Sequence, residues 1–427
     1  MSAKIRTRLR QQAIKAIKAI HMTILCSELS FTKLNLLWPS AMNLRLPFSI
    51  NCMAVVVSTL LLAANSHAEL FFSSRTMGPA TNIYSVTHGG AVHRITNDAK
   101  WRDMAADISP GGDVVFMSNR KSSTEIDLNQ TSDELNVFLL NTEDSKNRYI
   151  STPIKLSDGV GKALYPQYSP DGKNIAYLKK THNKMQLIVR SVENKTDRII
   201  IDQAKLSQLS WTPDGQHISF VEYDKVHSYL NIISIVDGIN QRLLTFSNGE
   251  RDVDSALSAL VDLKSNMRLE SAQWSPRGDK VALVVLDLSN NERKLFSYDI
   301  SSKIFELLSV PGMQVQYPVS WSPKGGQLLY SALENYKFFY DENIHQKMYK
   351  GGMQIFLSTI GEGTKQLSSG DVLHSRPVFS PDAKHVAFFF SPNLGARKLA
   401  LHTMSVDGSE RKSLYENVAQ DSFLVWH

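Results

Sequence analysis

The sequence predicts an all-β protein, a β-propeller of seven four-stranded blades, with six blades as the alternative count. Three observations carry the prediction. One turn phrase recurs along the chain, the segments around it read as short half-buried strands, and the two ends of the exported part complement each other.

The turn phrase appears as "DISPGGDVVFMS" (107–118), "YPQYSPDGKNIAYLKK" (165–180), "SWTPDGQHISFVE" (210–222), "QWSPRGDKVALVV" (273–285), "SWSPKGGQLLYSA" (320–332) and "VFSPDAKHVAFFF" (378–390). Proline at the second position of a type I turn fixes φ, aspartate accepts backbone hydrogen bonds, and glycine follows where the backbone needs most freedom. The prolines are Pro110, Pro170, Pro213, Pro276, Pro323 and Pro381, and their closest spacing is 43 residues. A repeat of ~40–50 residues with irregular excess is the period of propeller blades that carry loop insertions.

Taken in chain order, the first 68 residues stand apart from the repeats. Residues 1–41 are basic with helical spacing and read as a leader or a misplaced start. From Met42 the chain carries Arg45, an apolar run from Cys52 to Ala64, and the small residues Ser66 and Ala68. That is the anatomy of a signal peptide cleaved after Ala68. The run of 13 residues is too short for a membrane span, which takes ~20. The mature chain is therefore expected to begin at Glu69 and to reside in the periplasm.

Cleavage changes the charge argument. Residues 1–68 hold eight Lys/Arg and one acid, leaving 39 of the 47 basic and 40 of the 41 acidic residues in the mature part. The formal +6 of the whole chain thus falls to near neutrality, and no clustered basic face suggests nucleic acid. Both cysteines, Cys26 and Cys52, also lie in the removed part. The mature chain offers neither a disulfide nor a thiol nucleophile.

Residues 69–427 contain no linker or low-complexity tract and read as one propeller domain. The stretch 69–97 supplies three strands, "LFFSS", "NIYSV" and "VHRIT", without a first strand. The stretch 419–427, "AQDSFLVWH", opens a unit and stops, with Trp426 in the place held elsewhere by Trp211, Trp274, Trp321 and Phe379. Pairing the orphan strand with the incomplete unit removes two exposed sheet edges and closes the ring. Between them come units at 98–158, 160–203, 204–247, 253–309, 314–369 and 371–418. The recurrent aromatic before Ser-Pro is expected to pack between blades, because large apolar side chains drive burial.

These units, together with "FSSRTMGPATNIYSVTHGG", resemble the WD-like repeats of the TolB family of periplasmic propellers, over essentially all of 69–427. The resemblance implies the propeller fold and a protein-binding role at the cell envelope, beside a peptidoglycan-associated lipoprotein. Two features depart from that family: TolB carries an α/β domain before its propeller, and its propeller has six blades.

No G-x-S-x-G, H-E-x-x-H, G-x-G-x-x-G, P-loop or EF-hand phrase occurs, so the motifs name no reaction. Propellers of this repeat type also serve metal-dependent lyases, but the mature histidines are spread mostly one per unit with no H-x-H pair, whereas a metal needs three or four convergent ligands. No cofactor and no metal are expected. Topology is more informative. In an antiparallel blade the second-to-third and fourth-to-next connections share one face, and the long insertions 120–134, 248–270 and 334–352 all fall there. The last holds Tyr336, Phe338, Phe339 and Tyr340, aromatics interleaved with charges as at contact surfaces.

The expected contact set is therefore Trp101, Arg102, Tyr165, Arg268, Glu270, Tyr317, His374 and Arg376 around the channel mouth, with Tyr336, Phe338, Phe339 and Tyr340 above it. The expected function is a monomeric, non-enzymatic platform for an envelope protein or glycan, with no role for nucleic acid. The alternative is a propeller enzyme, a polysaccharide lyase or hydrolase, with a site of scattered residues at the same mouth.

Overall fold

The computed structural model describes residues 68–75, 80–120, 134–141, 152–157, 161–181, 184–203, 205–247, 266–394 and 398–427. All belong to a compact unit running from Ala64 to His427. The leader, the signal segment before Ala68, both cysteines and the insertion residues 121–133 and 248–265 lie outside the described residues.

The described chain is all-β and propeller-like. Four sheets are separate and four-stranded. The first holds β4 (Asp103–Ile108), β5 (Val114–Ser118), β6 (Asn136–Leu140) and β7 (Ile154–Lys155). The next holds β8 (Lys162–Tyr168), β9 (Asn174–Lys180), β10 (Met185–Ser191) and β11 (Asp197–Gln203). Then come β12 (Leu206–Trp211), β13 (His217–Tyr223), β14 (His227–Ser234) and β15 (Asn240–Ser247), followed by β16 (Met267–Trp274), β17 (Lys280–Asp287), β18 (Glu292–Asp299) and β19 (Phe305–Leu307).

A twelve-stranded sheet contains the rest. It joins β20 (Gln314–Trp321), β21 (Gln327–Asp341), β22 (Gln346–Thr359) and β23 (Gly363–Gln366) to β24 (Leu373–Phe379), β25 (His385–Ser391), β26 (Lys398–Ser405) and β27 (Lys412–Ala419). That junction is a single parallel bridge, Met353 to Leu373. A second single bridge, Ser74 to Val418, leads to β1 (Glu69–Arg75), β2 (Thr81–Thr87) and β3 (Val92–Arg94). The last strand, β28 (Leu424–Trp426), pairs antiparallel with β1, setting Leu70 opposite Trp426 and Phe72 opposite Leu424. Glu69 and His427 exchange backbone hydrogen bonds of 2.8 and 2.9 Å. The complementarity of the chain ends is thus realised as main-chain pairing.

The corners form as their residues dictate. Gly172 N donates to Ser169 O at 2.8 Å, while Ser169 Oγ donates to Asp171 Oδ1 at 2.6 Å. The same bond recurs from Thr212 to Asp214 and from Ser380 to Asp382. Gly172 has φ 71°, in the region glycine enters without steric cost. Ala383 occupies the same place in "SPDA" at φ 61°.

Between sheets the core is apolar. Val221, Leu230 and Phe246 of one sheet pack with Leu269, Leu283 and Phe296 of the next. The aromatics before the corners are inter-sheet core, Tyr168, Trp211, Trp321 and Phe379 all being buried. The indoles also tie sheets together by hydrogen bonds: Trp211 Nε1 donates to Gln167 O at 3.3 Å, Trp274 Nε1 to Ser219 Oγ at 2.9 Å, and Trp321 Nε1 to Gln273 O at 3.0 Å.

First strands ring the axis. Contacts run between β4 and β8, β12 and β16, β16 and β20, β20 and β24, β24 and β28, and β28 and β4. Between β8 and β12 the link is Gln167 Nε2 donating to Leu209 O at 3.2 Å. These strands are therefore the innermost of their sheets.

Candidate functional site: the inner-strand bulges and the projecting arm

Each of the six inner strands that precede a corner breaks register with its neighbour. The breaks fall at Met104/Asp107, Leu164/Gln167, Ser207/Ser210, Leu269/Ser271, Gln316/Ser320 and Ser375/Val378. A bulge bends the strand and re-aims a side chain. Ala105, Tyr165, Gln208 and Arg376, each five residues before a corner proline, sit there at φ 41°, 53°, 53° and 50°. Left-handed backbone costs a residue with a Cβ about 1–2 kcal/mol, so four non-glycine residues at equivalent places mark a feature kept by the surrounding structure.

Tyr165 is 57% exposed and Tyr317, in the bulge of β20, is 44% exposed. Both predicted residues present their rings to solvent from the innermost strands. Arg376 is half-buried beside Asp421, and burial holds its guanidinium below its ordinary pKa. Trp101 is half-buried just before β4 and its carbonyl accepts from Thr81 N at 3.1 Å. Arg102 is exposed and pairs with Asp421 at 2.7 Å.

Arg268 and Glu270 belong to β16 itself, correcting the expectation that 248–270 is all insertion. Alternating burial of Met267 and Leu269 against the neighbouring sheet carries the strand back to residue 267. Glu270 is clamped by two cations, Arg268 Nη2 at 2.8 Å and Arg293 Nε at 2.6 Å. Burial pushes its carboxyl up, and the two guanidiniums more than offset that, so it stays ionised. Tyr223 adjoins this cluster, its hydroxyl raised by burial and by Glu270.

His374 is corrected outright. It is 1% exposed and touches no open surface, because Gln354 of β22 and Arg411 close over it. Its Nδ1 lies 3.1 Å from Gln354 Oε1 and its Nε2 2.9 Å from Arg411 Nη1. Arg411 Nε also donates to His402 Nδ1 at 3.1 Å, and its guanidinium lies 4.3 Å from the Phe390 ring centroid. Burial, then the Arg411 charge, lowers both histidines to about 4, so both are neutral at pH 7 and accept from Arg411.

The segment 334–352 is a strand pair, correcting its reading as a loop. The register continues from Lys337 opposite Lys350 through Phe339 opposite Met348 to Asp341 opposite Gln346. Phe339 is 51% and Tyr340 56% exposed. Tyr336 and Phe338 are placed in β21, and their side chains lie outside the description. At the arm's base lies a pocket of about 590 Å³ lined by Glu334, Lys350, Gly352, Gln366, Ser368 and Asp371. Within its lining, Gly351 N donates to Asp371 Oδ1 at 3.0 Å.

Sequence reasoning missed Gln208, Tyr223, Arg293, Gln354, Arg411 and Asp421. The one signal available was positional: counting five back from the corner proline lands inside the register break in five of the six strands, the exception being β16, where Glu270 lies six before Pro276. Among the described residues no group of three or more His, Cys, Asp or Glu is placed to hold a metal ion, and no helix is long and apolar enough to cross a membrane.

No protein-family model and no curated protein matches the chain. Solved structures do. The chain is similar to puromycin hydrolase, with TM-score 0.57 and 11% identity over 82% of this chain and 52% of that one, about half of the enzyme's length. It is similar to an oligogalacturonate lyase solved with manganese, with TM-score 0.53 and 13% identity over 82% and 86%. TolB from Acinetobacter baumannii aligns at TM-score 0.45 and 12% identity over 86% and 85%. At such identities the likeness is one of fold.

Proposed function

We propose that this protein is an exported, non-enzymatic binding platform of the bacterial cell envelope, working in the periplasm and meeting a protein or glycan at the channel mouth. In this reading the four separate sheets and the three four-strand runs of the larger sheet, β20–β23, β24–β27 and β28-β1-β2-β3, count as seven blades. The observation that carries the function is the pair of exposed tyrosines, Tyr165 and Tyr317, displayed on inner-strand bulges. Tyrosine supplies a large amphipathic contact at low entropic cost, which suits either ligand class. Trp101, Arg102, Arg268 and Arg376 belong to the same proposed contact set, with Asp421 offsetting the charges of Arg102 and Arg376 and Glu270 that of Arg268.

The test is affinity capture from envelope extracts by the wild type, by Tyr165→Ala with Tyr317→Ala, and by the corner variant Asp171→Ala with Asp214→Ala. Loss of an anchor costs about 2 kcal/mol or more, roughly thirtyfold in affinity. The tyrosine variant should lose the captured ligand and the corner variant should keep it. Equal loss from both, or loss only from the corners, overturns the assignment. Turnover of a captured glycan or peptide that one mouth carboxylate abolishes would make the protein an enzyme instead.

A further inference from the structure

The arm has an unpaired edge. β20 starts at Gln314, opposite Leu333, so β21 runs on from Glu334 to Asp341 with β22 as its one partner among the described residues. On this two-stranded projection Phe339, Tyr340, Ile344 and Met348 are 51, 56, 51 and 37% exposed. A free, apolar strand edge is a template for another strand, and a hairpin standing alone in water is marginally stable.

The edge reads Lys337-Phe338-Phe339-Tyr340-Asp341: a cation, three aromatics, an anion. Such a segment is complementary to itself when it is laid antiparallel. We propose that it pairs with the same edge of a second copy of this chain, about a two-fold axis through Phe339. In that register Lys337 faces the second copy's Asp341, Asp341 faces the second copy's Lys337, and Phe339 faces its equivalent.

Alternation puts Lys337, Phe339 and Asp341 on one face, which Met348 extends, being opposite Phe339. The joined arms form a four-stranded sheet crossed by the row Met348, Phe339, Phe339, Met348. Opposite charges and aromatic pairs directly across a ladder stabilise it, and like charges destabilise it.

Other registers lack these contacts. A parallel pairing sets Lys337 against Lys337 and Asp341 against Asp341. A slip of one residue faces Lys337 with Tyr340 in one direction and, in the other, with Glu342, which lies beyond the end of β21, and either slip turns the other face of the strand over. Pairing through the β22 edge about Met348 gives Gln346 against Lys350 and no ion pair. An isologous contact uses the same patch on both chains, so pairing through the β21 edge closes at a dimer. It departs from the expected monomer and from the expected use of Phe339 and Tyr340 above the mouth, and it needs no ligand, since it requires the arm's edge alone.

Sedimentation of the full chain over the micromolar range tests this with Lys337→Asp, Asp341→Lys and the double exchange. Each single change sets like charges opposite each other twice, which should weaken the dimer by about tenfold or more. The double exchange restores both ion pairs and should bring the affinity back to that of the wild type. A wild type that stays monomeric, single variants that dimerise as the wild type does, or a double exchange that fails to recover each overturns the proposal. So does slow hydrogen exchange, in a monomer, of those amides within 337–341 that point away from β22, which would mean that another part of the chain covers the edge.

Discussion

Removing residues 423–427 should destabilise the whole ring of sheets. The deletion strips β28 from β1 and with it the pairs Leu70–Trp426, Phe71–Val425 and Phe72–Leu424. Leu424, Val425 and Trp426 are half-buried, so each loses about 1 kcal/mol, roughly half the ~1.5–3 kcal/mol of full burial. The backbone bonds to β1, at a net ~0.5–1.5 kcal/mol each, are largely offset by the ~1–2 kcal/mol per residue needed to order the strand. About 3 kcal/mol remains. Exposure adds to it on the other side, because Leu70 and Phe72, now 1% and 0% exposed, would form a bare sheet edge. Urea denaturation followed by tryptophan fluorescence and by circular dichroism reads the effect as a lower midpoint. An unchanged midpoint with an unchanged slope would mean that β28 contributes nothing to closure, and the argument from complementary ends would fail.

Lowering the pH should weaken the fold through the buried histidines. His374 and His402, depressed to about 4 by burial and by Arg411, stay neutral in the folded protein while an unfolded chain, with histidine near ~6.5, takes up protons. Stability therefore falls as pH drops from about 6.5 towards 4, and denaturation midpoints of His374→Gln with His402→Gln should be flatter across that window; an identical slope refutes the cause. Tyr165→Gly should stabilise the protein by up to about 1 kcal/mol, because it relieves a left-handed conformation and loses little packing from a ring that is 57% exposed. Thermal melts check this, and a lower melting temperature would show that the ring contributes more than its backbone costs. Gly352→Ala should destabilise the arm's base, since a Cβ there meets Gly370 O and Gln354 Nε2 and comes within 2.7 Å of Val372 O. Overpacking of this kind costs about 1–3 kcal/mol, and faster hydrogen exchange at Met353, whose amide donates to Val372 O, would report it.

The sequence alone determined what depends on neighbouring residues. Ser-Pro-Asp-Gly carries its own turn geometry, so each corner and the strands flanking it could be placed from a few consecutive side chains. The orphan opening at 419–427 and the three-strand start at 69–97 likewise announced their pairing, because an unpaired edge is costly wherever it lies. Tertiary structure decided what depends on residues far apart. The bulge that turns Tyr165 outwards exists only as a mismatch of register between β8 and β9, and nothing in "LYPQY" states where its partner strand slips. His374 sits before an arginine at the start of a strand, as a mouth residue would, but Gln354 from 20 residues earlier and Arg411 from 37 residues later bury it. The aromatic stretch 336–340 reads as part of a loop insertion until β22 supplies the ladder on one side. Turn preference is a property of consecutive dihedrals, whereas register, burial and a free edge are properties of which segments meet.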